Sequence, residues 1–266
     1  MRRSHVLAAA LGASQIAYGL EAPRPPWMTR GIVALLLTTS TADAIEQRGA
    51  RGAAVVAAAG SVGFGAELLG VHTGRPFGSY GYSEQLGPQI HEVPLLAGAA
   101  WGLLARPSRV AGDWASRALP GERSPLGQRA TRVLAAATAL TAWDVFLDPR
   151  MVREGYWHWP EGGWYEGIPW TNYAGWWATG VVAFGAAELI DPHDDPAAPP
   201  AASAPSAIGD ERSGDTALGL YAWTWIGELI ANVLLWKRPK VAVAGGLSMA
   251  AIALPALARR VLAARA

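Results

Sequence analysis

The sequence predicts an all-α integral membrane protein, a polytopic bundle of about seven or eight transmembrane helices in which two irregular segments line a cavity. Of the 266 residues, 51% are hydrophobic and only 16% are charged, whereas about 25% of the residues in an ordinary soluble domain are charged. The chain contains 31 glycines and 13 tryptophans. Glycine lets helices approach closely in a bilayer, and tryptophan favours the membrane interface. Apolar stretches of spanning length also recur along the whole chain.

A transmembrane helix needs about 20 mostly apolar residues. Stretches that approach this length are found near residues 4–21, 28–46, 52–71, 91–106, 128–147, 173–191, 216–236 and 241–262. The fourth is short, which predicts a tilted or half-buried helix. A single membrane domain therefore extends over residues 1–266. It is interrupted at about 192–215 by a stretch rich in Ala, Pro, Ser and Asp, which is typical of a flexible loop.

The distribution of Lys and Arg predicts the orientation of a multi-pass protein in the cell membrane, because cytoplasmic loops are enriched in both residues. Residues 106–132 contain six arginines, so this segment is predicted to be a cytoplasmic loop. Arg2 and Arg3 favour a cytoplasmic N-terminus and an uncleaved first helix. The basic cluster at 237–240 disagrees, because counting the spans puts it outside. Either a span is miscounted or a segment is re-entrant.

Composition also excludes several classes of function. The formal net charge is +1, so no basic field is available to bind nucleic acid, and no nucleic-acid-binding motif is present. The sequence contains no cysteine, which excludes disulfides, thiolate metal sites and cysteine nucleophiles. The sequence carries no signal for an oligomeric state.

Two segments, 72–94 and 144–177, are too polar and too rich in Pro and Gly for lipid, and too aromatic for ordinary loops. Irregular backbone at membrane depth is tolerated only where protein or a cavity satisfies its hydrogen bonds. Both segments are therefore predicted to line a site. The first belongs to a block that reads ELLGVHTGRPFGSYGY at 67–82; the second contains AWDVFLDPRMV at 142–152, GYWHW at 155–159 and YEGIPWTNYAGW at 165–176.

Together these blocks resemble the carotenoid 1,2-hydratase family, which includes the bisanhydrobacterioruberin hydratases of carotenoid biosynthesis. The resemblance is strongest over residues 67–94 and 142–177. It implies that the protein adds water to the terminal C1–C2 double bond of an acyclic carotenoid taken from membrane lipid, and that no organic cofactor is needed. The resemblance assigns no catalytic residue here, so the candidate residues follow from chemistry.

Hydration of a trisubstituted alkene needs a proton donor, and buried carboxyl groups are the candidates. Glu67, Asp144 and Asp148 lie in or at the end of apolar spans. Burial favours the neutral, proton-donating form of a carboxyl group, and an ionised one at mid-bilayer costs about 3 kcal/mol. Asp144 and Asp148 are four residues apart, so they share one helix face and are expected to interact.

Each carboxyl group also has a structural interpretation. Asp148 precedes Pro149, so it is equally suited to cap a helix and to pair with Arg150 or Arg153. Glu67 lies between glycines, where a polar contact between helices is the simpler explanation.

A second requirement is an environment that tolerates a carbocation, and aromatic faces provide it at about 0.5 to 2 kcal/mol per contact. An interfacial aromatic belt is the structural alternative. The tryptophans and tyrosines next to Gly and Pro are the better cavity candidates, and hydroxyl and amide groups nearby are candidates to hold water. The predicted substrate-binding residues are Tyr80, Tyr82, Trp143, Trp157, Trp170, Asn172 and Tyr173.

A metal site is not predicted. His72, His91 and His158 lie in or near the two blocks, but their spacing matches no metal-binding motif, and scattered interfacial histidines are more often hydrogen-bonded or solvated.

Two other functions remain open at this stage. The spacing of Asp144 and Asp148 resembles half of the magnesium-binding pair of a membrane prenyltransferase acting on isoprenoid substrates, with Asp43 and Glu46 as the acids available for the other half. A membrane protein that binds or transports carotenoids without chemistry would use the same apolar cavity. The buried acids favour an enzyme, because they add a burial cost that a hydrocarbon binder does not need.

Overall fold

A computed structural model describes residues 2–21, 23–121, 123–192 and 215–265, and it confirms the all-α helical bundle. The flexible loop predicted at about 192–215 lies almost entirely outside the described residues. The helices are α1 (Arg3–Leu20), α2 (Pro26–Thr73), α3 (Leu95–Leu103), α4 (Ala105–Ser116), α5 (Pro125–Arg153), α6 (Trp170–Ile190), α7 (Asp215–Ile230) and α8 (Pro239–Ala263), and a π-helical turn (Ala231–Leu235) extends α7.

Four of the described helices are long and apolar enough to cross a membrane: α2, α5, α7 with its π-helical turn, and α8. The 48 residues of α2 do not form one straight rod. Gly49 has φ 58° and ψ −140°, which interrupts the helical backbone, and glycine adopts such positive φ values readily. The two spans predicted at 28–46 and 52–71 are therefore two helical arms joined at Gly49.

Contacts between the helix termini define the two ends of the bundle. At one end, here called the arginine-rich end, Arg48 at the kink of α2 binds Asp191 just after α6, and Ser4 of α1 donates a hydrogen bond to Glu46. At the other end, here called the motif end, the two irregular segments connect the helices, and Arg24 forms an ion pair with Glu154. These segments cover residues 74–94 and 154–169, less than the predicted 72–94 and 144–177, because α2 continues to Thr73, α5 continues to Arg153 and α6 begins at Trp170.

The fourth span, predicted at 91–106, does not end where the sequence suggested, because a further helix, α4, follows it. The crossing does not end at 106, because the chain turns at Leu104 and continues as α4, in which every residue is buried. Arg106 and Arg109 thus lie inside the bundle, although they were assigned to a cytoplasmic loop. Hydropathy misses α4 because ion pairing satisfies its charges: Arg106 Nε lies 3.1 Å from Asp43 Oδ2, and Arg109 Nη1 lies 2.9 Å from Asp191 Oδ2.

The basic cluster at 237–240 lies at the motif end, where counting the spans puts it. Only 6% of Arg238 is exposed, and its Nη1 donates a 3.3 Å hydrogen bond to the carbonyl of Pro149 in α5. Arg238 is a buried structural residue and not a solvated loop charge. Burial of Arg238 therefore removes one of the three charges that conflict with the charge rule, whereas Lys237 and Lys240 are exposed.

Asp191 organises the arginine-rich end. Its carboxylate accepts hydrogen bonds from Arg48 at 2.6 Å and from Arg109 at 2.9 Å, and its side chain is 1% exposed. Burial by itself would raise the pKa of Asp191, but the two guanidinium groups outweigh burial and hold this pKa below its usual value. The carboxylate thus joins α2, α4 and α6.

Replacing Asp191 with Asn should destabilise the protein by about 3 to 5 kcal/mol, because it removes the buried negative charge that Arg48 and Arg109 share, although Arg109 keeps its 3.3 Å contact with Glu188. The matched control is Asp215→Asn, which breaks the more exposed ion pair with Arg260 and should cost less than about 1 kcal/mol. Thermal unfolding in detergent at neutral pH measures both. Because the pKa of Asp191 is lowered on folding, its contribution is complete above pH of about 4 and is lost as the pH falls through the lowered value. Equal losses in the two variants would contradict this role.

Candidate active site

A cavity of about 420 Å³ lies inside the bundle near the motif end. Its lining comes from the helices α1, α2, α3, α5, α6 and α7 and from both irregular segments, as the sequence predicted for those segments. Most of the lining is apolar or aromatic. The carboxylates of Glu67 and Asp148 are among the few polar groups on its wall. Glu67 is six residues before the end of α2, which is about 9 Å along the helix axis.

The carboxyl group of Glu67 is held by three hydrogen-bond donors from different segments. Its Oε2 atom accepts from the hydroxyl of Tyr80, and from the hydroxyl of Tyr82 at 2.8 Å. Its Oε1 atom accepts from Trp101 Nε1 at 3.0 Å. Burial is the largest cause that raises the pKa of both tyrosines, and the neighbouring Glu67 adds to it. Both hydroxyls are therefore neutral donors.

Small residues allow this arrangement. A Cβ atom on Gly63 would lie 1.9 Å from Cγ of Trp101, and one on Gly70 would lie 2.8 Å from the hydroxyl oxygen of Tyr80. The sequence therefore needs glycine one helical turn before Glu67 and again just after it. Both glycines serve the approach of hydrogen-bond donors to the carboxyl group.

A short β-pairing joins the two irregular segments. Strand β1 (Gly81–Tyr82) pairs antiparallel with strand β4 (Trp157–His158), and Tyr82 lies opposite Trp157. The two rings meet edge to face with centroids 5.7 Å apart. A second small hairpin, β2 (Gln89–Ile90) with β3 (Val93–Pro94), leads the chain into α3. The β1–β4 pairing therefore places Tyr82, which donates to Glu67, next to Trp157, which donates to Asp148 in α5.

Asp144 and Asp148 lie on the same face of α5, as their spacing predicts. Nδ2 of Asn172 in α6 donates to Oδ2 of Asp144 at 3.0 Å and to Oδ2 of Asp148. Trp157 Nε1 donates to Oδ1 of Asp148 at 3.1 Å. Oδ1 of Asp144 is buried and accepts no hydrogen bond. Asp148 faces the cavity, and Asp144 lies behind it.

Pro149 helps to position the second irregular segment. Proline has no backbone N–H, so it leaves the carbonyl four residues earlier in a helix without its usual donor. In α5 that carbonyl belongs to Val145, and it accepts a 3.1 Å hydrogen bond from the hydroxyl of Tyr165. Trp159 Nε1 also donates to the carbonyl of Phe77 at 3.0 Å. These bonds attach the segment to α5 and to the first irregular segment.

Three tryptophans form one wall of the cavity. Trp101 and Trp176 are stacked with ring centroids 4.0 Å apart and planes at 15°. Trp143 meets Trp176 edge to face at 6.3 Å. All three are buried and line the cavity, so the same cavity wall contains three indole rings.

The structure separates the predicted substrate-binding residues into two groups. Five of them line the cavity: Tyr80, Tyr82, Trp143, Trp157 and Asn172. Trp170 does not, because it is the first residue of α6 and 65% exposed. Tyr173 is not part of the lining either. Its ring packs on Tyr165, and its hydroxyl is buried without a hydrogen bond.

Some lining residues were not among the predicted site residues. Trp101 lies in α3, outside both sequence blocks. Its place in the site follows from its packing against Gly63, which the sequence does not show. Trp176 was part of the quoted pattern but not selected. Arg150 and Glu228 form an ion pair of 2.9 Å that also lines the cavity. Arg150 was interpreted only as a partner of Asp148, and Glu228 belongs to a distant span.

The acids that a prenyltransferase would need do not meet at this cavity. Asp43 pairs with Arg106, and Glu46 accepts a hydrogen bond from Ser4. Both lie towards the arginine-rich end, whereas Asp148 lies near the motif end. Among the described residues, no group of three or more His, Asp or Glu side chains is arranged to hold a metal ion.

The fold and the cavity together define an integral membrane protein with buried carboxyl groups in an aromatic, apolar chamber. Sequence comparison gives the family. The family described as "Carotenoid biosynthesis protein" matches residues 27–252, and the chain belongs to that family. A relative, bisanhydrobacterioruberin hydratase from Haloarcula japonica, is 34% identical over 122 residues. The match covers 45% of this chain and 39% of the relative, so the chain matches well under half of that protein's length. No solved structure is significantly similar to the chain.

Replacing Gly63 with Ala should displace Trp101 and destabilise the protein by about 1 to 3 kcal/mol, because the added methyl group has no room. Gly65→Ala is the matched control on the same helix, since a Cβ atom there meets nothing within 4 Å, and Ala favours the helix by up to about 1 kcal/mol. Thermal unfolding of both variants measures the difference. A Gly63→Ala variant as stable as the control would mean that Trp101 does not depend on this glycine.

Proposed function

We propose that this protein is a carotenoid hydratase of the cell membrane, which adds water to the terminal C1–C2 double bond of an acyclic carotenoid. One observation carries the proposal: Glu67 and Asp148, held by separate donors, face the same aromatic chamber. A chamber that only bound a hydrocarbon would gain nothing from two buried carboxyl groups. The printed name of the Haloarcula relative, a hydratase, supports the same reaction class.

The proton donor is Asp148, with Asp144 behind it. Two carboxyl groups this close do not both ionise in an apolar site, so the pair keeps one proton. Asn172 donates to both groups and holds them side by side. Asp148 delivers the shared proton to the terminal alkene, where a C–H bond forms and a tertiary carbocation results.

The tryptophan wall shelters this cation. The quadrupole of each indole ring stabilises a nearby positive charge by about 0.5 to 2 kcal/mol. Trp143, Trp101 and Trp176 lie together on the cavity wall.

Glu67 acts on the water. In the reaction it acts as the carboxylate, a form that its three donors stabilise against the opposing effect of burial. This carboxylate stabilises the cation from a second side and accepts a proton from the attacking water. The C–O bond then forms and the product is a tertiary alcohol. The proton on Glu67 returns to the aspartate pair through water in the cavity, so the net reaction consumes one water and no cofactor.

A carotenoid-binding protein without catalysis is the second candidate, since the apolar chamber suits a bound polyene equally well. The two candidates predict different products. Expression in a host that makes an acyclic carotenoid should yield pigment heavier by the mass of one water per hydrated end. A binder would retain the pigment unchanged, and this outcome would exclude the hydratase.

Asp148→Asn, Asp144→Asn and Glu67→Gln should each lower the hydration rate by about 100-fold or more, the usual contribution of a general acid or base. Each variant should remain folded and bind pigment, because the amide preserves shape. Glu84→Gln is the control, as Glu84 is an exposed acid in the first irregular segment and its loss should leave the rate unchanged. Product analysis by mass spectrometry and pigment co-purification give the two readouts. Full activity in any of the three variants would remove that residue from the mechanism.

A further inference from the structure

The exposed part of the cavity wall lies on one side only. Most cavity-lining residues are buried or half-buried, but six are exposed, and all six are apolar residues of α1, α7 or the π-helical turn. They form what is here called the α1/α7 seam: Ile16, Leu20, Trp223, Ile226, Ile230 and Leu235. Their exposed fractions, from 41% for Trp223 to 69% for Leu20, put apolar surface where a membrane protein meets lipid acyl chains.

The seam is closed by side chains and not by interlocked helices. Helix α1 packs mainly on α2 and meets α7 only locally. Across the seam, Trp223 lies over Gly12, and Leu235 lies over Gly19. One polar bond bridges it, from Trp223 Nε1 to Gln15 Oε1 at 2.7 Å. Rotation of a few large side chains away from glycines is enough to open such a contact.

The other walls of the cavity are sealed. Towards the motif end, the two irregular segments and the donors to Glu67 close it. Next to the seam, the Arg150–Glu228 ion pair lies at 2.9 Å, and the ring of Trp236 lies 5.5 Å from the Arg150 guanidinium carbon. A hydrocarbon chain that left the cavity past these groups would have to separate this largely buried ion pair, which is unfavourable.

The size of the cavity determines what must pass through the seam. At about 420 Å³, it is as large as a typical small-molecule site and holds only one end of a long polyene. The remaining chain has to leave the cavity, and among the described residues the exposed apolar part of the lining lies at the seam. There the chain exchanges one apolar environment for another.

On the basis of the proposed function, we propose that the α1/α7 seam is a lateral portal, through which the end of an acyclic isoprenoid chain enters from the bilayer and in which the rest of that chain lies during the reaction. The hydrogen bond between Trp223 and Gln15 holds this portal closed.

The absence of native cysteine makes the portal directly testable. In a Gln15→Cys/Trp223→Cys variant, a short bis-methanethiosulfonate reagent would bridge α1 and α7, and a reductant would release the bridge. The control is Asp215→Cys/Arg260→Cys, which bridges α7 to α8 where those two side chains are 2.7 Å apart. Mass analysis verifies bridging in both. The readouts are uptake of an acyclic carotenoid from loaded vesicles, measured as pigment bound after washing, and formation of hydrated product.

The bridged Gln15/Trp223 variant should take up pigment and turn it over about tenfold more slowly or worse than the same protein after reduction, as expected when a gating motion is blocked. The bridged control should match its reduced form. Equal uptake before and after reduction in the Gln15/Trp223 variant would overturn the portal. Uptake that depends on the bridge, in a protein that forms no hydrated product, would support the portal and refute the hydratase, so the two proposals fail separately.

Discussion

A carboxyl group buried in a membrane protein must be satisfied by donors that the bundle itself supplies, and Glu67 shows how much structure this requirement fixes. Its three donors come from two tyrosines of the first irregular segment and from Trp101 of α3. Their approach requires glycine at positions 63 and 70. Tyr82 also pairs with Trp157 between strands β1 and β4. The requirement of Glu67 for donors therefore also affects the second irregular segment and, through that segment, the aspartates of α5. Much of the cavity wall therefore depends on one side chain.

The buried carboxyl groups at the two ends of the bundle differ in the kind of partner that they have. At the arginine-rich end, Asp191 accepts hydrogen bonds from two arginines, a pattern that holds helices in place. At the cavity, Asp144 keeps one oxygen without a donor, and Asp144 and Asp148 share the amide of Asn172. Two adjacent carboxyl groups in an apolar site do not both ionise, so such a pair keeps one proton. The same residue type thus forms ion pairs at one end and, in the proposed function, supplies a proton at the other.

Prediction from sequence succeeded where a local pattern carried the information. The helical spans, the two irregular segments and the shared face of Asp144 and Asp148 follow from hydropathy and helical periodicity. It failed at α4, because hydropathy scores Arg106 and Arg109 without regard to their partners, which lie more than 60 residues away in the chain. It also failed to separate Trp170 from Trp143, since two tryptophans near Gly and Pro look alike until one is seen to face outward.

The membrane environment, most of the helices and the family were properties of the sequence alone, because each depends on composition, on runs of apolar residues or on ordered motifs that need no partner. The cavity was decided only by the tertiary structure. Trp101 reaches Glu67 because a glycine on α2 leaves room for it, and the α1/α7 seam exists because the first and seventh helices meet through glycines and large side chains. Such contacts join residues that are far apart in the chain, and no local pattern records which side chains will share a space.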